Sequence, residues 1–127
     1  MKQPTKSGVA RLKAAWGHSC NGLVDVWRRE EAFRLEVFLF AASFPAAAML
    51  ASSVVQGALM IGSVLLLMIV EVINSAIEAT IDRIGFEHHE LSRVAKDLGS
   101  AAVLLTALIP AGVWAAIVLS NLEIIGA

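Results

Sequence analysis

From Val37 to Val70 the chain runs 34 residues without a charge, and Leu98 to Leu119 is equally bare. Two membrane crossings of about 20 residues each plus a turn need roughly 45 residues, so the first run is too short for the two helices it must contain. Their charged ends must therefore enter the interface, which brings Arg34 and Glu36 on one helix and Glu71 and Glu78 on the other to membrane depth. The turn between them falls near Ala51-Ser52-Ser53, ahead of Gln56-Gly57. A polar connection follows, Arg83-Ile-Gly85-Phe-Glu87-His88-His89-Glu90, with a helix stop at Gly85 and a restart near Ser92 as N-cap. Before the first crossing, Val9, Leu12, Trp16, Cys20, Leu23 and Trp27 fall within about 60° of one line on a helical wheel. That pattern predicts a helix lying in the membrane interface, with its Trp rings at headgroup depth and Lys13 snorkelling. The predicted fold is an all-α membrane protein. It has a surface helix over 8–29 and membrane helices over 31–51, 54–83 and 93–120, in a single domain spanning 1–127. Pro45 and Pro110 are expected to kink their helices without breaking them, because neighbouring helices can satisfy the freed carbonyls.

Composition sharpens the class. Of 127 residues, 57% are hydrophobic and only 17% charged, and the mean hydropathy is +0.73. An ordinary soluble domain has about 25% charged residues. The single Cys20 excludes an intramolecular disulfide, and no Cys/His cluster has zinc spacing. The first 36 residues are too dense in charge for a secretory signal. A net charge of −1 favours no class of partner, and nothing points to nucleic acid. The distribution of charge says more. Seven of the ten Lys and Arg lie at or before Arg34, and the others are Arg83, Arg93 and Lys96. By the positive-inside rule the N-terminus and residues 82–97 are cytoplasmic, and three crossings leave the C-terminus outside, in the periplasm if the membrane is a bacterial inner membrane.

At about 100° per residue, Glu71, Ser75, Glu78 and Asp82 lie within roughly 40° of one line, with Asn74 beside it. Carboxylates at membrane depth are costly and usually mark function, whereas polar groups that only hold helices together are usually Ser, Thr or Asn. Counted outward from Ser53, Glu36 and Glu71 lie about 26 Å down their helices, and Glu30 and Glu78 about 35–38 Å down. Two levels of paired acids result. Glu30 and Glu78 form an oxygen-rich pair of the kind Mg²⁺ accepts when phosphate and water complete its shell. Lys96, one turn inside a helix whose N-terminus favours anions, is a phosphate partner. Glu71, nearer the hydrocarbon, is a candidate general base for an acceptor hydroxyl that must belong to a lipid. These parts describe phosphoryl transfer at the cytoplasmic face, a reaction that needs positioning and charge neutralisation above all. Neither G-x-x-x-x-G-K-[ST] nor G-x-G-x-x-G occurs, which excludes the ordinary soluble kinase folds. Each feature also has a plainer reading: a stripe that glues helices, a Lys96 that snorkels, a solvated loop at His88 and His89.

The stretch from Met68 to Gly85, with Glu71, Asn74, Ser75, Glu78 and Asp82, then His89-Glu90-Leu91-Ser92 and Lys96-Asp97-Leu-Gly99-Ser100, closely resembles the prokaryotic integral-membrane diacylglycerol kinases. The resemblance covers essentially the whole chain, including Glu30-Glu-Ala-Phe33-Arg34-Leu-Glu36. It implies a homotrimer of three-span subunits with a surface helix, using ATP and Mg²⁺ to phosphorylate diacylglycerol at sites between subunits. Position by position, it implies Glu71 as catalytic base and Glu30 and Glu78 as metal-binding carboxylates that also serve the nucleotide. Lys96 and Asp97 match the phosphate- and nucleotide-contacting pair, and Arg11, Glu87 and His89 look like further nucleotide contacts. Glu36, Asn74 and Ser100 match residues lining the lipid site. Two departures stand out. His18 stands where the family has an aromatic such as Tyr near the nucleotide, and Glu31 is an extra acid beside Glu30.

Three rival readings make different demands. An undecaprenol kinase shares the fold, but His89-Glu90-Leu91-Ser92 and Gly99-Ser100-Ala101-Ala102 resemble the diacylglycerol branch. A small proton-coupled transporter would use Glu71 as its proton site and needs neither paired acids at the membrane face nor Lys96. A non-enzymatic helical scaffold would tolerate Gln in place of the acids.

Overall fold

The computed structural model describes residues 7–122. Lys2 and Lys6, which enter the charge count, and both chain termini, whose sides of the membrane that count predicts, lie outside the described residues. Four helices follow in order: α1 (Gly8–Arg29), α2 (Glu31–Leu50), α3 (Val54–Ile84) and α4 (Glu90–Asn121). The last three are each long and apolar enough to cross a membrane. α3 is the central element, packed along both α2 and α4, while α1 rests more lightly against α2 and α3. With 31 residues, α3 is about 46 Å long against a hydrocarbon core of about 30 Å. One of its ends must therefore project from the apolar slab.

Only Glu30 separates α1 from α2, with φ −109° and ψ 113°. Arg34 Nη1 donates to the Trp27 carbonyl at 2.9 Å, satisfying one of the acceptors that the end of α1 leaves free. The Trp27 ring meets Phe38 with centroids 6.1 Å apart, and Val26 and Phe33 are buried beneath the corner. The junction is thus held from both sides, and Glu30 is its hinge residue. Val9, Leu12 and Trp16 on α1 remain exposed.

At the opposite end of the bundle, Ser53 caps α3 by accepting from the Gln56 amide at 3.2 Å. Gln56 Oε1 accepts from Ser52 N at 2.7 Å and from Asn121 Nδ2 at 2.9 Å, and Asn121 Nδ2 also donates to the Leu50 carbonyl at 2.7 Å. Two side chains therefore close the α2–α3 turn and pin the end of α4 to it. Just inside lies a small core of Ala47, Met60 and Ile117, flanked by Val113 and Trp114. Trp114 Nε1 donates to the Met60 carbonyl at 3.0 Å, so the ring is anchored to the α3 backbone as well as packed. α2 continues through Pro45 and α4 through Pro110, as expected of helices whose neighbours support them.

One boundary differs from the expectation. α4 starts at Glu90, not near residue 93, and its N-cap is His89, not Ser92. The His89 Nδ1 accepts from the Leu91 amide at 3.2 Å, which satisfies an orphan donor three residues before Ser92 has the chance. Lys96 consequently lies in the second turn of α4, where the field of the helix terminus has largely fallen off.

Replacing Gln56 with Leu should leave the Ser52 amide without its acceptor and cut Asn121 back to its bond with the Leu50 carbonyl. The expected loss is about 1–3 kcal/mol of unfolding free energy in detergent micelles. An unchanged unfolding curve would show that the polar knot carries no stability.

Candidate functional site

The end of α1 and the projecting end of α3 enclose a cleft of about 520 Å³. Asp25, Arg29 and Glu30 line it from one side, and Ser75, Glu78 and Asp82 from the other. The hinge at Glu30 matters here, because it turns a carboxylate at the helix junction toward the stripe on α3. Deeper along the same two helices, Glu36 and Glu71 are both buried, 6% and 5% exposed. Glu71 lies close enough for its charge to act on Glu36, and Glu30 and Glu78 lie close enough to act on Glu71. The two expected tiers of acids thus form one connected group, an upper pair in the cleft and a lower pair enclosed by protein.

Polar neighbours on α3 flank the acids. Asn74, buried, donates from Nδ2 to Glu78 Oε1 at 3.2 Å, and the Ser75 hydroxyl donates to the Glu71 carbonyl at 3.0 Å. Two buried acceptors have no partner, Asn74 Oδ1 and Glu36 Oε2. Asn74 is pressed against Gly99 of α4, where a Cβ would collide with Asn74 Oδ1. The small residue at 99 is what lets α4 approach the stripe so closely. Ser100 beside it is exposed.

The cationic side of the site comes from α4. Lys96 Nζ donates to Asp82 Oδ1 at 2.6 Å, and Glu78 is near enough to act on the Lys96 charge. Asp97 receives Arg93 Nη1 at 2.6 Å, and Arg93 also pairs with Glu90. Glu87 and His89 do not line the main cleft. They border a neighbouring hollow of about 390 Å³ with Ile81, Ile84 and Ser92. Arg11 lies further off, beside Gly8 and Leu12 in a shallow hollow on α1, and His18 is exposed on the same helix.

The chain thus brings together Glu30, Glu78, Glu71, Glu36, Asn74 and Lys96, and leaves Arg11, His18, Glu87, His89, Asp97 and Ser100 outside the cleft. Two residues absent from the expected set belong with it. Asp82 holds Lys96, and its place on the stripe with Glu71 and Glu78 was a signal in the sequence. Arg93 holds Asp97, at the i,i+4 spacing that pairs charges on a helix. Among the described residues no three His, Cys, Asp or Glu side chains form a closed metal cage. Two carboxylates in one solvent-reached cleft nevertheless suit Mg²⁺, which keeps waters and takes phosphate oxygens beside one or two protein carboxylates. Glu30 and Glu78 would be those ligands.

The sequence model of the family described as prokaryotic diacylglycerol kinase matches residues 17–118. The chain belongs to this family. Its similarity to individual members runs nearly end to end. A diacylglycerol kinase of Escherichia coli strain K12 is 44% identical over 115 residues, which cover 91% of this chain and 94% of the relative. One from Pseudomonas aeruginosa is 44% identical over 114 residues, covering 90% and 93%. A more distant one from Helicobacter pylori strain 26695 is 37% identical over 111 residues, covering 87% of each chain.

Membership in the family makes the contact at Gly99 a sharp test of the site's architecture. Gly99→Ala must displace Asn74, because the added methyl meets its carbonyl oxygen, and the Asn74–Glu78 hydrogen bond should go with it. The expected result is a loss of lipid-phosphorylating activity of at least about tenfold, since an unpaired buried amide and a freed carboxylate each cost on the order of 1 kcal/mol or more. Full activity in the variant would show that Asn74 has room to move.

Proposed function

We propose that this protein phosphorylates the primary hydroxyl of diacylglycerol with ATP and Mg²⁺, making phosphatidic acid at the cytoplasmic face of a bacterial inner membrane. What carries the reading is the two-tier group of acids: a cleft-lining pair, Glu30 and Glu78, above an enclosed pair, Glu36 and Glu71. The relatives named above are diacylglycerol kinases, and nothing among them favours the polyprenol alternative.

In this reading Glu30 and Glu78 would hold the Mg²⁺, whose charge would offset that of the nucleotide phosphates. Asn74 keeps Glu78 from turning away, through its 3.2 Å hydrogen bond. Lys96 offers its ammonium to the phosphates, and Asp97, already held by Arg93, faces the nucleotide. Glu71 accepts the proton of the lipid hydroxyl as that oxygen bonds to the γ-phosphorus and the bond to the β-phosphate oxygen breaks, releasing ADP. Protein encloses Glu71, so water competes poorly with the lipid hydroxyl for this base. Glu36, Asn74 and Ser100 line the approach of the lipid's glycerol region. Glu36 Oε2 and Asn74 Oδ1, both buried without a donor, are acceptors that a hydroxyl-bearing substrate can satisfy.

Arg11, His18, Glu87 and His89 complete the nucleotide site from outside the cleft of their own chain. Their dispersal in one subunit supports a homotrimer with active sites between subunits. The exposed Val9, Leu12 and Trp16 of α1 suit a helix seated in the headgroup layer.

Glu71→Gln should lower kcat on the order of 100-fold or more with little change in the KM for ATP, because the lost proton acceptor acts in the transition state. Labelled phosphate from ATP, followed into extracted lipid, measures it. Turnover like the parent protein's would remove Glu71 from the role. Replacing Glu30 or Glu78 with Gln should weaken nucleotide and Mg²⁺ binding together, and an unchanged Mg²⁺ titration in both variants would place the ion elsewhere.

Acceptor choice tests the lipid. Diacylglycerol should be phosphorylated at least about tenfold more efficiently than undecaprenol in the same mixed micelles, since a polyprenol lacks the ester groups that Asn74 and Ser100 would engage and one good hydrogen bond is worth roughly 1.4 kcal/mol. Equal or reversed efficiencies would assign the chain to polyprenol phosphorylation.

A further inference from the structure

Asp82 lies one helical turn beyond Glu78 on the same face of α3, lines the same cleft, and receives Lys96 Nζ from α4 at 2.6 Å. Both side chains of this pair are 41% exposed. Ion pairs so open to solvent add little to stability. Nor do α3 and α4 need it, since the Trp114–Met60 hydrogen bond, the Gln56–Asn121 pair and the close contact at Gly99 already bind them along their length. The consequence of the pair is therefore positional. A lysine side chain has a flexible four-carbon stem and a compact charge, and without a partner its ammonium samples a wide volume.

The surroundings define which position Asp82 selects. On the Lys96 side of the cleft the other basic residues are committed or turned outward, Arg93 being shared between Glu90 and Asp97 and Arg83 being exposed, while Arg29 of α1 lines the opposite wall. Across the cleft stand Asp25, Arg29 and Glu30 of α1, and on α3 Glu78 acts on the Lys96 charge after Asp82. An ammonium has three donors, so the bond to Asp82 leaves two for another acceptor.

We propose that Asp82 is a positioning residue that holds the Lys96 ammonium at the rim of the Glu30–Glu78 cleft, ready for the phosphates of the nucleotide. This rests on the kinase reading above and adds to it a residue that acts only through Lys96.

The test compares Asp82→Asn and Asp82→Glu in the full chain in micelles, each with Lys96 intact and with Lys96→Met. Equilibrium dialysis gives the Kd for Mg·ATP, and mass spectrometry gives the rate at which acetic anhydride modifies Lys96. Asp82→Asn should weaken Mg·ATP binding about tenfold and speed acetylation of Lys96 several-fold, because the amine is no longer fixed. Asp82→Glu, which keeps the charge, should recover most of both. With Lys96→Met the Asp82→Asn change should alter the Kd less than about twofold, since the two residues act as a unit. A merely structural role would give the same effect in both backgrounds and would overturn the proposal, as would an unchanged acetylation rate. A shifted Mg²⁺ titration with normal acetylation would also overturn it, by making Asp82 a metal ligand. If the parent protein phosphorylates no lipid, the kinase reading fails separately, and the acetylation rate still decides whether Asp82 positions Lys96.

Discussion

A carboxylate at the depth of a bilayer must find its company inside the protein, because neither lipid tails nor bulk water are there to solvate it. α3 carries this constraint more than any other element. Its stripe sets Glu71, Ser75, Glu78 and Asp82 along one face, and each neighbouring element meets it, α1 and α2 with further acids and only α4 with a counter-charge. α1 and the hinge supply Glu30, α2 supplies Glu36, and α4 supplies Lys96 and the close approach at Gly99. The helices are arranged as they are because one helix has to be surrounded.

The two ends of the bundle serve different needs. At one end the groups are short and mutually satisfied: Gln56, Asn121 and Ser53 close the turn and the helix terminus, with Met60 and Trp114 packed behind them. At the other the acids outnumber the groups that answer them. Glu36 Oε2 and Asn74 Oδ1 are buried without donors, and the Glu30–Glu78 cleft is rich in oxygen. On the proposed reading, a bundle tied by hydrogen bonds at one end and electrostatically unfinished at the other has its stability and its chemistry in separate places. Such separation lets a site keep unsatisfied groups that would destabilise a fold if they were spread through its core.

Kinship with the prokaryotic diacylglycerol kinases fits this division. Phosphoryl transfer asks a protein for charge and position, with no covalent help. On the proposed reading, long helices crossing a membrane supply position, and the acids and Lys96 supply charge. Lys96 is paired with Asp82 of α3, and α4 begins three residues earlier than the Ser92 signal implied, so Lys96 is not at the end of its helix. The positive end of the helix dipole offers no stabilisation to a basic residue in the first turns of α4. Only the neighbouring helix can then say where its ammonium sits.

Much of the architecture was legible in the sequence, because the bilayer imposes lengths that a count of uncharged residues reveals. The three spanning helices, the turn at Ser52-Ser53 and the stop at Gly85 follow from that count and from local turn chemistry. The stripe on α3 follows from helical periodicity, which is fixed by backbone geometry alone. The start of α4 was misplaced because two capping residues lay three positions apart, and local preference could not tell that His89 would reach the Leu91 amide first. Periodicity showed Asp82 on the stripe but not what it holds, since its partner lies fourteen residues away on another helix. The same limit hid Arg34 closing α1, Gln56 meeting Asn121, and Asn74 resting on Gly99. Spacing along one helix is set by bonds within that helix, whereas contacts between helices depend on how closely and at what angle they pack. Only the tertiary structure decided those.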